Sequence, residues 1–201
     1  MANICCDDVY FFSDDNTEGI EALWKDLQAS ITPGYKDDLG QIERLFLHAG
    51  LSTEGINLRR TVVAMERTDH AVQLSLDTAW RPLHDAYTAL AAAYGIQFVM
   101  ESIEPGCGIF FNTDDDGIAF SDRYCVTGDT SVVTPSGLVL WEKLEYGDTF
   151  SSENVLLQHF RDLGYEAETL EILVETLDEQ GVFIHSFINP YPKSIRKDLY
   201  R

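Results

Sequence analysis

Between positions 70 and 80 apolar and polar residues alternate, with Val72, Leu74 and Leu76 set against Gln73, Ser75 and Asp77. A two-residue period marks a strand with one buried and one wet face. Directly downstream, Leu83, Ala86, Tyr87, Leu90 and Tyr94 recur at helical spacing, and Gly95 provides the stop. Pro82 fits the first turn of that helix, where its missing N–H costs nothing. Trp80 closes the strand, so the pattern predicts it buried at the strand–helix seam, with Trp80→Ala costing roughly 3–5 kcal/mol.

The same reading extends along the chain. Residues 4–13 predict a first strand. Asp15, with Glu18 three places on, predicts a reciprocally capped helix that buries Ile20, Leu23, Trp24, Leu27 and Ile31. A short helix follows around Ile42, Leu45 and Phe46. Residues 61–67 and 70–80 form a hairpin about Thr68-Asp69, and residues 96–103 are another strand. Strand, helix, strand, strand, helix, strand is the split β-α-β order of ferredoxin-like folds. The predicted class is therefore α+β, with a ferredoxin-like core over residues 1–126. A hairpin/helix/helix/strand extension over 127–201 is expected to pack on that core as a single compact unit. In the extension, a turn at Pro135-Ser136-Gly137, helices around Leu156, Phe160 and Leu163 and around Leu170, Leu173, Val174 and Leu177, and a last strand after Gly181 complete the order.

Composition narrows the classes. The chain of 201 residues is 45% hydrophobic, enough for a substantial core. No apolar run approaches the ~20 residues that span a bilayer, and the N-terminal segment meets acid with no basic region before it. The expectation is a cytoplasmic protein without a membrane role. Cys5, Cys6, Cys107 and Cys125 form no C-x-x-C pair and are expected to be buried, reduced thiols.

Charge is the extreme feature, at a net −20. Lys193, Arg196, Lys197 and Arg201 crowd the last nine residues beside Asp198, so the remainder is more acidic than the whole. Without a basic face, direct contact with nucleic acid is not expected. An acidic surface points instead to a basic protein partner or to imitation of nucleic acid.

Met1 and Asn3 ahead of the first strand, Ala79-Trp80 with Pro82 after the third, and Glu104-Pro105-Gly106 after the fourth carry a family resemblance. Over residues 1–126 the chain resembles the YubB-type ferredoxin-like domains of bacterial, plasmid and phage-related proteins. Asp7 and Asp8 stand where that family's opening strand is followed by small polar residues. The resemblance implies the fold and supplies no catalytic or binding residues.

A second pattern, Cys125 to Asp148, resembles the opening block of Hint/intein self-splicing domains, whose cysteine needs an activating histidine. The T-x-x-H motif and the terminal histidine–asparagine pair of those domains are missing: Leu156 lies three places before His159 and Val182 three before His185. The segment is read as a β-hairpin and Cys125 as an inert thiol. Asn112, Asp114, Asp116 and Gly117 sit as in a calcium loop, but Arg123 occupies the position that needs a bidentate glutamate, so a tight turn is predicted.

No catalytic residues, metal ligands or cofactor motifs are assigned. The candidate binding residues are Glu168, Glu171, Glu175 and Asp178, a negative row opposite the apolar stripe of the last helix. The expected role is non-catalytic binding of another protein through this acidic surface. The alternatives are an anti-restriction-type DNA mimic and an enzyme whose site only the fold assembles.

Overall fold

The computed structural model describes residues 3–34, 40–58, 60–129, 131–145 and 147–191. The basic cluster at Lys193, Arg196, Lys197 and Arg201, and Met1 of the family resemblance, lie outside the described residues. Among the described residues, no helix is long and apolar enough to cross a membrane.

The fold is α+β. It divides into two compact units, one of residues 1–120 with 189–201 and one of residues 121–188. The sequence had set the boundary at 126 and expected a single unit. The strand that begins at Tyr124 pairs only within the second unit's sheet, which moves the boundary upstream.

The first unit contains β1 (Ile4–Phe12), α1 (Thr17–Ser30), α2 (Gln41–His48), β2 (Arg60–Arg67), β3 (Ala71–Ala79), α3 (His84–Tyr94), β4 (Gln97–Glu104) and β5 (Ile109–Asn112). Its antiparallel sheet runs β2-β3-β1-β4-β5. Strict alternation sets the register: Val9 lies opposite Leu74 on one side and Met100 on the other. A slip by one residue would turn the whole apolar row of β1 outward. Val9 and Phe11 pack with Leu23, Leu27, Leu45, Phe46, Tyr87 and Leu90 in one core.

Two local features differ from the sequence prediction. Asn16, not Asp15, caps α1, its side chain accepting from Gly19 N, and the Asp15–Glu18 box does not form. The Asn16 Nδ2 also donates to the carbonyls of Tyr94 and Gly95, tying the start of α1 to the end of α3. Gly19 permits this approach, because a Cβ there would strike the Tyr94 carbonyl. Pro82 precedes the N-cap Leu83 rather than opening the helix.

The second unit contains β6 (Tyr124–Gly128), β7 (Thr149–Phe150), α4 (Glu153–Asp162), α5 (Leu170–Asp178) and β8 (Val182–Ser186), with sheet order β7-β6-β8. The predicted hairpin near Pro135 is reduced to a single bridge between Val133 and Val139 around the 135–137 turn. Val126, Leu156, Phe160, Leu173, Leu177 and Val182 form its core. Ser152 caps α4 and Thr169 caps α5, each accepting from a backbone N–H three residues on.

Candidate functional site

The corner between β3 and α3 departs most from the sequence reading. Trp80 is 51% exposed, not buried, and its φ is +71°. Among the described residues it is the non-glycine residue with positive φ. The chain must reverse sharply from a sheet strand into a helix, and a left-handed residue makes that reversal. Glycine occupies such positions at no steric cost, whereas a side chain costs on the order of 1 kcal/mol or more. The Trp80 N–H donates to the Asn3 carbonyl (3.1 Å), and the Thr78 hydroxyl lies 3.0 Å from the Arg81 carbonyl. Ile4, opposite Ala79 across the β1–β3 pair, is exposed as well. The corner thus presents an aromatic ring outward on a fixed backbone.

Beside it, a cleft of about 180 Å³ opens at the start of α3, lined by Asn57, Arg81, Leu83, His84, Phe111 and Tyr191 among others. The Tyr191 ring lies flat on the His84 ring, with centroids 3.5 Å apart and planes within 7°.

Beneath the start of α3 lies a buried polar cluster. Asp7 occupies an inward position of β1 and is 1% exposed. Its carboxylate accepts from Leu83 N (3.0 Å) and the Tyr87 hydroxyl (2.9 Å), and the Cys5 thiol donates to it at 3.4 Å. Helix α3 has no cap of its own, so Asp7 supplies one from a strand 76 residues earlier, satisfying an orphan N–H at the helix start. Burial pushes the Asp7 carboxyl up, opposed by the hydrogen bonds from Leu83, Tyr87 and Cys5.

Arg60, also buried, anchors its Nη2 on the Asn57 carbonyl at 2.8 Å, while its Nε and Nη1 have no hydrogen-bond partner among the described residues. Burial brings the guanidinium down to about 10, with Tyr87 and Asp7 pulling it back, so it stays charged at neutral pH. The Cys5 thiol is pushed up by burial and then by Asp7, and the Tyr87 phenol likewise. Both remain protonated at pH 7, which leaves no activated nucleophile in the cluster.

The sequence-predicted residues lie in the second unit. Glu171, Glu175 and Asp178 are exposed on α5, and Glu168 is exposed but precedes the cap Thr169, so it falls outside the helix. Cys125 is buried on β6, its thiol 3.6 Å from the Gly147 carbonyl. The register places His185 directly opposite it on β8, where the imidazole Nε2 lies 2.8 Å from the Thr127 hydroxyl. No motif spacing in the sequence could reveal that juxtaposition. The four cysteines are reduced, but only Cys5 and Cys125 are buried; Cys6 and Cys107 are exposed, contrary to expectation. Cys6 alternates onto the open face of the sheet, and Cys107 lies in the short turn after β4. The 112–123 segment is a loop held by Asp114, which accepts from Ala119 and Phe120 N–H groups. Among the described residues no three His, Cys, Asp or Glu side chains converge to hold a metal ion.

Sequence reasoning missed Asp7 and Tyr191. Asp7 had a signal, since the alternation of Cys5, Val9 and Phe11 places it on the inward face; Tyr191 had none. Compared with family models, curated proteins and solved structures, the chain matches none.

Proposed function

We propose that this is a non-catalytic, cytoplasmic binding protein whose partner is another protein. The observation that carries the reading is Trp80, an exposed indole held at φ +71°. Backbone strain persists where the surroundings enforce it and clusters at binding sites, and tryptophan is enriched among residues that dominate protein interfaces. The antiparallel order β2-β3-β1-β4 supports a ferredoxin-like reading of the first unit, and with it the YubB-type resemblance. The test places a photo-crosslinking residue at position 80, identifies the polypeptide coupled there, and titrates the purified partner with the unsubstituted chain and with Trp80→Gly. Glycine relieves the strain while removing the ring, so Tm should hold or rise while binding falls at least about tenfold, the scale of an interface anchor. Undiminished binding by Trp80→Gly would sink this reading.

A second surface is supported by the joint exposure of Glu171, Glu175 and Asp178 on one rigid helix. It suits a basic partner, and its binding would weaken steeply with salt, because exposed charges are screened within about 8 Å at physiological ionic strength. The double change Glu171→Lys and Glu175→Lys should abolish such binding at unchanged Tm. Competition by duplex DNA for that partner would favour the DNA-mimic alternative. Binding indifferent to both salt and the double change would remove the acidic face from the account.

A further inference from the structure

We propose that the cleft at the start of α3 is a docking slot for an unphosphorylated tyrosine side chain of a partner polypeptide, and that Tyr191 of this chain fills it when the partner is absent. The inference rests on the protein-binding reading above and narrows it to a ligand class.

The slot is built for a flat ring. His84 stacks face to face with Tyr191, and Phe111 meets the same ring edge-on, with centroids 6.4 Å apart and planes at 87°. A ring gripped on its face by one aromatic and on its edge by another is held by shape and quadrupole together, which a branched aliphatic side chain does not satisfy. The cleft beside the ring, about 180 Å³ and walled by Asn57 and Arg81, leaves room for the main chain that would carry an incoming tyrosine.

The present occupant lies on a segment without regular structure. Residues 189–191 belong to no helix or strand. They are secured by Asn189 Nδ2, 3.2 Å from both carboxylate oxygens of Asp115 in an exposed contact, and by the Tyr191 N–H to Asn189 Oδ1 at 3.0 Å. Segments tied by a few solvent-accessible bonds open at low cost compared with core elements. Tyr191 is thus an exchangeable plug seated in a preformed slot.

Charge decides which ring enters. Burial first, then the nearby charges of Asp85 and Asp7, push the Tyr191 phenol up, with Arg81 opposing. A neutral hydroxyl tolerates that setting, whereas a phosphate dianion meets the Asp85 carboxylate on the cleft wall and Asp7 beneath it, which offset the Arg81 guanidinium, in a protein of net charge −20. Phosphorylation of the partner's tyrosine would therefore release it.

The test titrates the full chain and its Tyr191→Ala variant with N-acetyl-tyrosinamide, N-acetyl-phosphotyrosinamide and N-acetyl-leucinamide, following binding by calorimetry and the His84 ring protons by NMR. Tyr191→Ala should bind the tyrosine probe roughly tenfold more tightly than the unsubstituted chain, the factor expected if the plug occupies the slot about nine-tenths of the time. The phospho and leucine probes should leave the His84 signals unmoved, and adding His84→Ala should erase tyrosine binding. Equal affinity in both chains, or a leucine response matching tyrosine, would overturn the proposal. Tyr191→Leu, which keeps the slot filled with apolar bulk, is the second variant. If neither variant folds, Tyr191 is a structural strut and the slot reading fails. Failure here with binding at position 80 intact removes the slot alone, and loss at Trp80 with the slot intact removes only that interface.

Discussion

The two units cap their helices in different ways. In the second unit the caps are local: Ser152 serves α4 and Thr169 serves α5, each through its own side chain. In the first unit the same need is met across the fold. Asp7 on β1 satisfies the start of α3, and Asn16 caps α1 while holding the last carbonyls of α3. A local cap stabilises one helix. A cap borrowed from another element also fixes where that helix sits, and α3 carries the cleft and the exposed indole at its start. The first unit buries the Asp7 carboxyl for this, whereas among the described residues of the second unit no carboxylate is buried.

The widest gap between the units should appear when caps are removed. Asp7→Ala leaves the buried Leu83 N–H and Tyr87 hydroxyl without their acceptor, a loss of about 1–3 kcal/mol for each stranded group. Thr169→Ala should cost about 1 kcal/mol, the ordinary worth of an exposed N-cap. Asp7→Asn, which keeps an acceptor oxygen for the Leu83 N–H and the Tyr87 hydroxyl, should recover much of the Asp7→Ala loss. Denaturant melts of the three chains check this ordering. Equal losses for Asp7→Ala and Thr169→Ala would erase the distinction drawn here.

A smaller effect, a slope rather than a step, concerns pH. The Asp7 carboxyl is raised in the folded chain, so the unfolded chain loses that proton first as pH climbs past about 4. The first unit therefore loses stability as pH rises through Asp7's folded value. His159 and His185 are lowered, chiefly by burial, so the unfolded chain gains their protons first as pH drops below about 6.5. The second unit loses stability in that acid direction. Amide exchange at Val9 and at Val126, followed from pH 4 to 8, should show opposite trends. Asp7→Asn should flatten only the first and His159→Gln should weaken only the second. A common trend in both units, untouched by either change, would refute the linkage.

Much of the fold was legible because its signals are short in range. The alternation through Val72, Leu74 and Leu76 located β3, and the apolar spacing from Leu83 to Leu90 located α3. A serine cap at Ser151 or Ser152 and Gly95 as the stop could be read from neighbouring residues, and the structure selects Ser152. The acidic row was partly legible, but Thr169 starts α5 one residue after Glu168 and leaves that glutamate outside the helix. Trp80 was misread, because an apolar ring at the end of a strand argues for burial and nothing local announces a left-handed backbone.

The sequence by itself determined the alternating and helical segments, the α+β class and the strongly negative charge, since each depends on residue type and on neighbours a few positions away. Tertiary structure alone decided that Asp7 would cap a helix begun at position 84, that His185 would stand across from Cys125, and that Tyr191 would stack on His84. Those pairs lie 58 residues or more apart for Cys125-side contacts such as Thr127 with His185, and 76 for Asp7 with Leu83. Strand register and chain return bring them together, and neither leaves a periodic trace in the sequence.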